Sequence, residues 1–568
     1  MPEVIAKLRT RRGPTVETAA GRVGGTYAAD GTMTRFRGIP YAAPPVGDRR
    51  WRPPSAAESW RGVRPCVAAP PIAWQLGHDM DIVIGNLARG IGLPAWKSSA
   101  IVKAMSLLPM RESEDCLTLD VRAPANATNL PVMVWIHGGN HTDGSAGEPM
   151  YRSDALPERG CVLVNIQYRL GLFGFLAHPE LSAESDDGVS GNYGLLDQIA
   201  ALEWVRDNIA GFGGDPGNVT IFGESAGGMA VLNLMTTPAA RGLFHRAIAQ
   251  SPSDGGRWLH LDRPVFALSS ASDAGSGFAD RVVGSSSGQL ERLRAMGAEE
   301  LAGAYRTDES ARRHCFPLVD GHHLPMEPMS AFSRGEAADV PLLIGYNADE
   351  ASIFGGMFHP AGPEFGNDAS PTPAGMRATL VESYGSDATA DGVLAAYPGL
   401  DQNESAAVIE HLGDHMFGSH VDHASRMHSS PVYRYHFRST SPLPGQTAGA
   451  YHAAEIVHVF GSKIPGVPVA DDGHLLTRAM GDHWFAFAAS GCPDHPGRPT
   501  WPAFDPADPR HMVFDRPTSA PEVCPPQPGL DAMCARFDRL TTELVGASSA
   551  ADSSIGEPDT EPEHASAG

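Results

Sequence analysis

Residues 219–228 read Val-Thr-Ile-Phe-Gly-Glu-Ser-Ala-Gly-Gly, and residues 229–235 continue as Met-Ala-Val-Leu-Asn-Leu-Met. The first four residues are typical of a buried strand and the last seven of a helix. A serine in a G-x-S-x-G turn between a strand and a helix has a strained backbone that projects its hydroxyl above the sheet. Small residues are needed at positions 223 and 227, because strand and helix approach closely there. We therefore predict that Ser225 is a nucleophile.

A second glycine-rich turn reads His137-Gly138-Gly139-Asn140 and follows the apolar run Val132–Ile136. A serine that attacks a carbonyl carbon needs hydrogen-bond donors for the oxyanion that develops. The turn is similar to the H-G-G-G type of oxyanion loop, in which backbone N–H groups are the donors. We predict that the N–H groups of Gly139 and Asn140 form an oxyanion hole together with that of Ala226.

Short apolar runs at 132–136, 162–166, 219–222 and 342–344 are typical of strands buried on both faces. Between the second and third runs, residues Leu195 to Ile209 carry apolar side chains at three- or four-residue steps, which predicts a helix that ends near Gly211. This alternation predicts an α/β fold with a mainly parallel central sheet and helices on both faces. Ligands then bind at the carboxyl ends of the strands.

The composition is that of a folded protein, with 568 residues, 42% of them apolar, and a formal net charge of −23. This charge argues against binding to nucleic acid or to an anionic membrane and favours neutral or cationic substrates. No secretory signal or membrane-spanning run is visible, so we expect a cytoplasmic protein without membrane insertion. Seven cysteines at irregular spacings are expected to be mostly free thiols.

No repeat or linker divides the chain, which predicts one domain over residues 14–546 after an N-terminal extension of residues 1–13. Residues 547–568 are rich in Ala, Ser, Glu and Pro, a composition typical of a disordered tail. Two segments, about 76–113 and 255–311, do not fit the strand–helix alternation. We expect them to cap the active site.

Several motifs in order resemble those of the type B carboxylesterases, the family of the cholinesterases and the bacterial para-nitrobenzyl esterases. The resemblance covers nearly the whole chain, and the matching runs include Phe36–Gly47, Glu114–Val121, Tyr168–Leu176, Gly191–Gln198, Phe212–Pro216 and the turn around Ser225. It implies an α/β-hydrolase fold and hydrolysis of small-molecule carboxylic esters through an acyl-serine, without a cofactor.

The resemblance also implies the partners of Ser225. The run Pro341–Ala351 looks like the segment that carries the family's acidic residue, which assigns Glu350, whereas Asp349 is expected to be a solvated carboxylate. The run from Tyr451 to Gly461 looks like the histidine segment and assigns His452 as the general base, with His458 as an alternative. The resulting catalytic triad, Ser225, Glu350 and His452, has the chain order expected of α/β-hydrolases.

A metal site is the alternative interpretation for five histidines on one predicted helix: His411, His415, His420, His423 and His428. No H-E-x-x-H motif accompanies them. A solvated helix face near the entrance of the active site is the preferred interpretation, and no metal is expected.

Some positions depart from the family pattern. Asn140 stands where a glycine or alanine is usual, and His141 where an aromatic residue is common, so the acyl pocket should be narrower or more polar. Trp74 stands where secreted members have the cysteine that pairs with the one in Glu-Asp-Cys-Leu, so that disulfide is not expected. Acyl transfer by the same acyl-enzyme and a non-catalytic binding module remain alternatives, and the oligomeric state is open.

Overall fold

The computed structural model describes residues 13–77, 80–94, 96–97, 99, 111–253, 259–265, 268–354, 373–384, 386–402, 404–463, 472–516, 519–525, 527–534 and 536–537. The predicted tail at 547–568 and all but Gly13 of the predicted N-terminal extension lie outside these residues.

The fold is built on a sheet of eleven strands in the order β14-β13-β12-β11-β10-β9-β7-β8-β6-β4-β3, and a second sheet has the order β1-β2-β5. The strands are β1 (Thr15–Thr18), β2 (Gly21–Gly24), β3 (Thr26–Tyr27), β4 (Met33–Pro40), β5 (Val63–Pro65), β6 (Thr118–Pro124), β7 (Leu130–Ile136), β8 (Val162–Ile166), β9 (Gly214–Glu224), β10 (Arg246–Gln250), β11 (Leu342–Asn347), β12 (Val432–Phe437), β13 (Arg510–Phe514) and β14 (Ser519–Val523).

The centre of the large sheet is parallel and its edges are antiparallel. From β8 through β7, β9, β10, β11 and β12 to β13 each neighbouring pair is parallel, whereas β14 and the strands β6, β4 and β3 pair antiparallel. Every residue of β8 and of β11 is buried. This confirms the predicted mainly parallel sheet, because uninterrupted apolar runs are stable only where helices cover both faces.

The α-helices are α1 (Met80–Gly90), α2 (Gly171–Phe175), α3 (Pro179–Glu184), α4 (Tyr193–Asn208), α5 (Ala226–Thr236), α6 (Ala271–Val283), α7 (Gln289–Ala295), α8 (Ala298–Thr307), α9 (Glu309–His314), α10 (Pro328–Ser333), α11 (Pro373–Tyr384), α12 (Asp387–Ala396), α13 (Ser405–Gly413), α14 (Ser419–Met427), α15 (Ile456–Val459) and α16 (Gly473–Ser490). The predicted helix at 195–209 is α4, which continues as a 3₁₀ turn over Ile209–Phe212.

The two faces of the sheet bury different side chains. Alternate residues of β7 belong to different apolar clusters: Val132, Val134 and Ile136 pack with α4 and α5. Met133 and Trp135 pack with α15 and α16 on the other face. The sheet is therefore enclosed on both sides by helices, as the sequence predicts.

The two segments predicted to cap the active site have different surroundings. In the first, α1 contacts the turn that carries Glu350, because Asn86 Nδ2 donates to Ile353 O at 2.9 Å and Gly90 lies against Ala448. In the second, helices α6 to α8 form an apolar cluster with α2 and Leu76. Residues 100–110 of the first segment and 255–258 and 266–267 of the second lie outside the described residues.

The interpretation of the histidine-rich helix as a solvated face is wrong. His411, His415, His420 and His423 are all buried. The helix is interrupted by a π turn over Asp414–Gly418 and packs against the C-terminal segment, where Nη1 of the buried Arg536 lies 2.6 Å from His415 Nε2. Phe537 of the same C-terminal segment packs against the rings of His420 and His423, and a local sequence pattern does not reveal such a partner. The adjacent guanidinium also makes His415 a poor cation ligand.

All seven cysteines are free thiols, as predicted. Among the described residues, no helix combines the length and the apolar character that a membrane span requires.

Candidate active site

Ser225 lies at the turn between β9, which ends at Glu224, and α5, which begins at Ala226. Its backbone has φ 59° and ψ −125°, a conformation that costs a non-glycine residue about 1–3 kcal/mol. Its N–H donates to Gln250 O on β10 at 2.9 Å. Ser225 is half-buried, whereas every other residue from Val219 to Thr236 is buried. The turn therefore brings one hydroxyl out of the core, as the motif predicts.

Two glycines make this turn sterically possible. A Cβ on Gly223 would lie 2.4 Å from Gly227 O, and a Cβ on Gly227 would lie 2.1 Å from Ile136 O. Both obstacles are backbone atoms, which have no freedom to move aside in the middle of a parallel sheet. The steric requirement predicted for positions 223 and 227 is confirmed.

The loop after β7 packs directly on this turn. A Cβ on Gly138 would lie 3.1 Å from Ser225 Cβ and 2.6 Å from Glu224 O. The loop has three consecutive positive φ angles, at Gly139 (105°), Asn140 (54°) and His141 (54°). The N–H groups of Thr142 and Asp143 both donate to Gly139 O and close a tight turn. Strain at two successive non-glycine residues is tolerated because the surrounding contacts hold the loop.

Gln75 and Leu76 supply some of those contacts. Gln75 Oε1 accepts from Gly144 N at 2.7 Å, and Gln75 Nε2 donates to Gly144 O at 3.1 Å. The N–H of Leu76 donates to Thr142 O at 2.8 Å. The chain segment at Trp74, which carries no disulfide, is thus joined to the loop by hydrogen bonds.

Glu350 and His452 are in contact and form a buried pair. Glu350 begins a 3₁₀ turn that follows β11, and its Oε2 lies 2.6 Å from His452 Nδ1. The other oxygen, Oε1, accepts from Ser251 Oγ at 2.6 Å and from Asn347 N at 2.7 Å. Two donors hold the carboxylate in one orientation and leave Oε2 for the imidazole.

The second ring nitrogen of His452 faces the turn that carries Ser225. Nε2 lies 3.1 Å from Oε1 of Glu224, the residue directly before Ser225. Among the described residues, Ser225 Oγ makes no hydrogen bond to this nitrogen. The structure therefore brings His452 to Glu350 and to the end of β9, with Glu224 rather than Ser225 as the direct partner of Nε2.

Charges and burial act in opposite directions on His452. Burial alone lowers the pKa of an imidazole, but the carboxylates of Glu224 and Glu350 outweigh it and raise the pKa of His452 to about 9. Burial raises the pKa of the Glu224 carboxyl well above its usual range. His452 and Glu224 thus compete for a proton in the same buried space.

Asp349 and His458, the neighbours considered beside Glu350 and His452, have other hydrogen-bond partners. His458 Nδ1 lies 2.9 Å from Thr477 Oγ1, and burial lowers its pKa to about 4. Asp349 is exposed, as expected, and its Oδ2 accepts from Ala450 N at 2.7 Å.

Several residues around the pair were not predicted from the sequence. Glu455 is fully buried and accepts from Gln250 Nε2 at 2.9 Å and from Asn347 Nδ2 at 2.7 Å. Its position three residues after His452 was the only available signal. Phe417, in the π turn, packs against the His452 ring with centroids 4.6 Å apart, and Phe354 lies at 5.3 Å. Nothing local in the sequence marks either ring.

A large sheet with a parallel centre, helices on both faces and a strained serine between β9 and α5 is the α/β-hydrolase fold. Comparison with known proteins agrees. The structure superposes on a solved para-nitrobenzyl esterase with a TM-score of 0.73 and 32% identity, covering 91% of this chain and 99% of that one. A carboxylesterase of Geobacillus stearothermophilus superposes with a TM-score of 0.71 and 30% identity, at 91% and 99% coverage.

Residues 12–525 match the carboxylesterase family, and the chain belongs to this family. It is 36% identical to a fumonisin B1 esterase of Sphingopyxis macrogoltabida, over 85% of this chain and 83% of that protein. It is 34% identical to the para-nitrobenzyl esterase of Bacillus subtilis (strain 168), over 88% of this chain and 94% of that one. The protein is a carboxylic-ester hydrolase.

Proposed function

We propose that the protein hydrolyses carboxylic esters through an acyl-enzyme on Ser225, with His452 as general base and Glu350 as its orienting partner. The observation that carries the proposal is the buried contact of 2.6 Å between Glu350 Oε2 and His452 Nδ1. A carboxylate in this position holds the imidazole in the tautomer whose Nε2 accepts a proton, and it stabilises the imidazolium that results.

In the first half of the reaction, Ser225 Oγ attacks the carbonyl carbon of the ester while its proton passes to His452 Nε2. The N–H groups of Gly139, Asn140 and Ala226 donate to the oxyanion of the tetrahedral intermediate. When the intermediate collapses, the bond to the alcohol oxygen breaks, and the imidazolium returns the proton to that oxygen. The alcohol leaves, and the acyl group remains on Ser225.

In the second half, water attacks the acyl carbon and gives its proton to His452, and Ser225 leaves with that proton as the carboxylic acid forms. During the reaction, Nε2 of His452 has to exchange its contact with Glu224 for a hydrogen bond with Ser225 Oγ and then for one with water. Hydrogen bonds of this kind tighten when substrate excludes water from the site.

The substrate class follows from the charges near Ser225. The carboxyl groups of Glu148, Glu350 and Glu455 each interact electrostatically with that of Glu224, the residue before Ser225. An anionic group close to the scissile bond would add another negative charge to this buried set. We therefore propose that the preferred ester is uncharged or cationic around the carbonyl carbon. Neutral benzyl esters, of the kind for which the para-nitrobenzyl relatives are named, meet this condition.

The test compares Ser225→Ala with Ser276→Ala, which removes a hydroxyl from α6 that donates only to Ser272 O. Hydrolysis of a short aryl ester should fall by about 10⁴-fold to 10⁶-fold in Ser225→Ala and stay unchanged in Ser276→Ala. An organophosphate adduct should map by mass spectrometry to the peptide that contains Ser225. Full activity in Ser225→Ala, or an adduct on another residue, would falsify the assignment.

Product analysis in the presence of a competing alcohol separates hydrolysis from acyl transfer. Both use the same acyl-Ser225, so the Ser225→Ala result does not distinguish them. Free acid as the dominant product supports hydrolysis, and the ester of the added alcohol as the dominant product supports transfer.

A further inference from the structure

Two surface loops bring two histidines and one aspartate together. Asp187 lies in the turn after α3, and His322 and His323 lie in the turn before α10. His322 Nε2 is 3.4 Å from Asp187 Oδ1, and His323 Nε2 is 3.6 Å from Asp187 Oδ2. All three donor atoms lie within 4.8 Å of one another. These residues belong to loops other than those that carry Ser225, Glu350 and His452.

Each histidine nitrogen lies farther from its oxygen of Asp187 than in an ordinary hydrogen bond, and each of these two distances is close to the spacing of neighbouring ligands around a metal ion. An N–H donor lies about 2.7–3.2 Å from an oxygen acceptor in proteins. Around tetrahedral Zn²⁺, with bonds of about 2.0–2.2 Å, neighbouring donor atoms lie about 3.3–3.5 Å apart. The two imidazoles are nearly perpendicular, at 82° with centroids 4.7 Å apart, so the rings do not stack on each other.

The loop that carries the histidines is held in place before any ion binds. Asp320 Oδ1 accepts from the N–H groups of His322 at 2.9 Å and Leu324 at 3.0 Å. Its other oxygen accepts from Asn192 Nδ2 at 2.8 Å, and the same amide donates to Leu318 O at 2.7 Å. Asn192 is buried and lies five residues after Asp187 in the chain. The buried amide of Asn192 therefore links the two loops. The loops lose less conformational entropy when an ion binds, because they are already held in place.

The donor set defines the kind of ion. Imidazole nitrogen with one carboxylate suits Zn²⁺ and similar transition metals, whereas Ca²⁺ and Mg²⁺ prefer all-oxygen sites. The side chains of Asp187 and His322 are 40% and 53% exposed, so water has access to a fourth position.

We propose that Asp187, His322 and His323 form a surface site for Zn²⁺ or a similar divalent transition-metal ion, completed by water. An ion at this position cross-links the turn after α3 to the turn before α10. Because the site uses no residue of the proposed triad, it is a binding function separate from ester hydrolysis.

The test uses the full chain, freed of metal with a chelator, and adds CoCl₂ or ZnCl₂ alone. Tetrahedral Co²⁺ should give visible d–d bands that saturate at one equivalent, and Zn²⁺ should abolish them. His322→Gln and Asp187→Asn should weaken binding by at least about tenfold, because loss of an outer-shell partner alone costs about 10–100-fold. His474→Gln, which removes an exposed histidine of α16, is the matched control and should bind as the unmodified protein does.

Thermal unfolding provides a second readout. Zn²⁺ should raise the unfolding midpoint of the unmodified protein and of His474→Gln, but not of His322→Gln. The half-exposed side chain of His322 can be replaced without disturbing the core. Unchanged binding in both His322→Gln and Asp187→Asn, or no tetrahedral cobalt spectrum in the unmodified protein, would overturn the proposal. Esterase activity is not the readout, so failure here leaves the role of Ser225 untouched.

Discussion

Gln75 binds both backbone groups of Gly144, accepting from its N–H at 2.7 Å and donating to its carbonyl at 3.1 Å. Gly144 follows the strained residues Gly139, Asn140 and His141 by only a few positions. One side chain thus fixes the end of the loop that packs on Ser225. These hydrogen bonds of Gln75 join the segment at Trp74 to the loop after β7, with no disulfide at that position.

Gln75→Leu should lower kcat by about 10-fold to 100-fold with a smaller effect on KM, because a displacement near 1 Å at the proposed oxyanion loop is enough for such a loss. Gln75→Glu keeps the acceptor for Gly144 N and loses the donor, so its kcat should lie between those of Gln75→Leu and the unmodified protein. Steady-state kinetics on a neutral aryl ester measure this. Unchanged kcat in Gln75→Leu would show that the loop after β7 keeps its conformation without the hydrogen bonds of Gln75.

Glu224→Gln should shift the pH profile of kcat/KM to lower pH. The proposed base must be neutral to accept a proton, so activity should rise as pH rises through the pKa of His452, about 9. The carboxylate of Glu224 is among the charges that raise this pKa, and its removal lets the pKa fall. Glu158→Gln, at an exposed carboxylate after β7, is the control and should leave the profile in place. A shift to higher pH would contradict the assignment of the charge.

Phe417→Leu should reduce kcat by roughly threefold to tenfold, the equivalent of an aromatic pair worth about 0.5–1.5 kcal/mol. The phenyl ring supports the His452 imidazole at 4.6 Å, and leucine fills similar space without a flat face. Phe487→Leu, in the buried cluster around α16, should destabilise the protein similarly without changing kcat. Equal kinetic effects in the two variants would mean that packing in general, and not the ring on His452, is responsible.

Gly227→Ala should destabilise the protein by about 3 kcal/mol or more, because the new methyl group would lie 2.1 Å from Ile136 O. Gly303→Ala, in α8, meets nothing within 4 Å and should stabilise the protein by about 0.5–1 kcal/mol. Urea unfolding of both variants measures the difference. A Gly227→Ala protein as stable as the unmodified one would mean that β7 and α5 can separate at little cost.

Much of the fold was predictable because its strongest signals are local. The strands β7, β8, β9 and β11 contain the apolar runs read from the sequence, and α4 lies within two residues of its predicted start. The histidine-rich helix was misread for the opposite reason. Its burial depends on Arg536 and on the interrupting π turn, and neither is visible in the spacing of the histidines.

The sequence by itself determined the turn at Ser225, because the need for glycine at 223 and 227 and the strand and helix on either side are properties of neighbouring residues. Only the tertiary structure decided that Glu224, Glu350 and Glu455 surround His452 and that Gln75 holds Gly144. Glu224 and His452 are separated by 228 positions, and the three glutamates meet His452 because β9, β11 and β12 run parallel in one sheet. Electrostatic interactions depend on distance and burial, and the pKa of His452 is therefore a property of the folded chain alone.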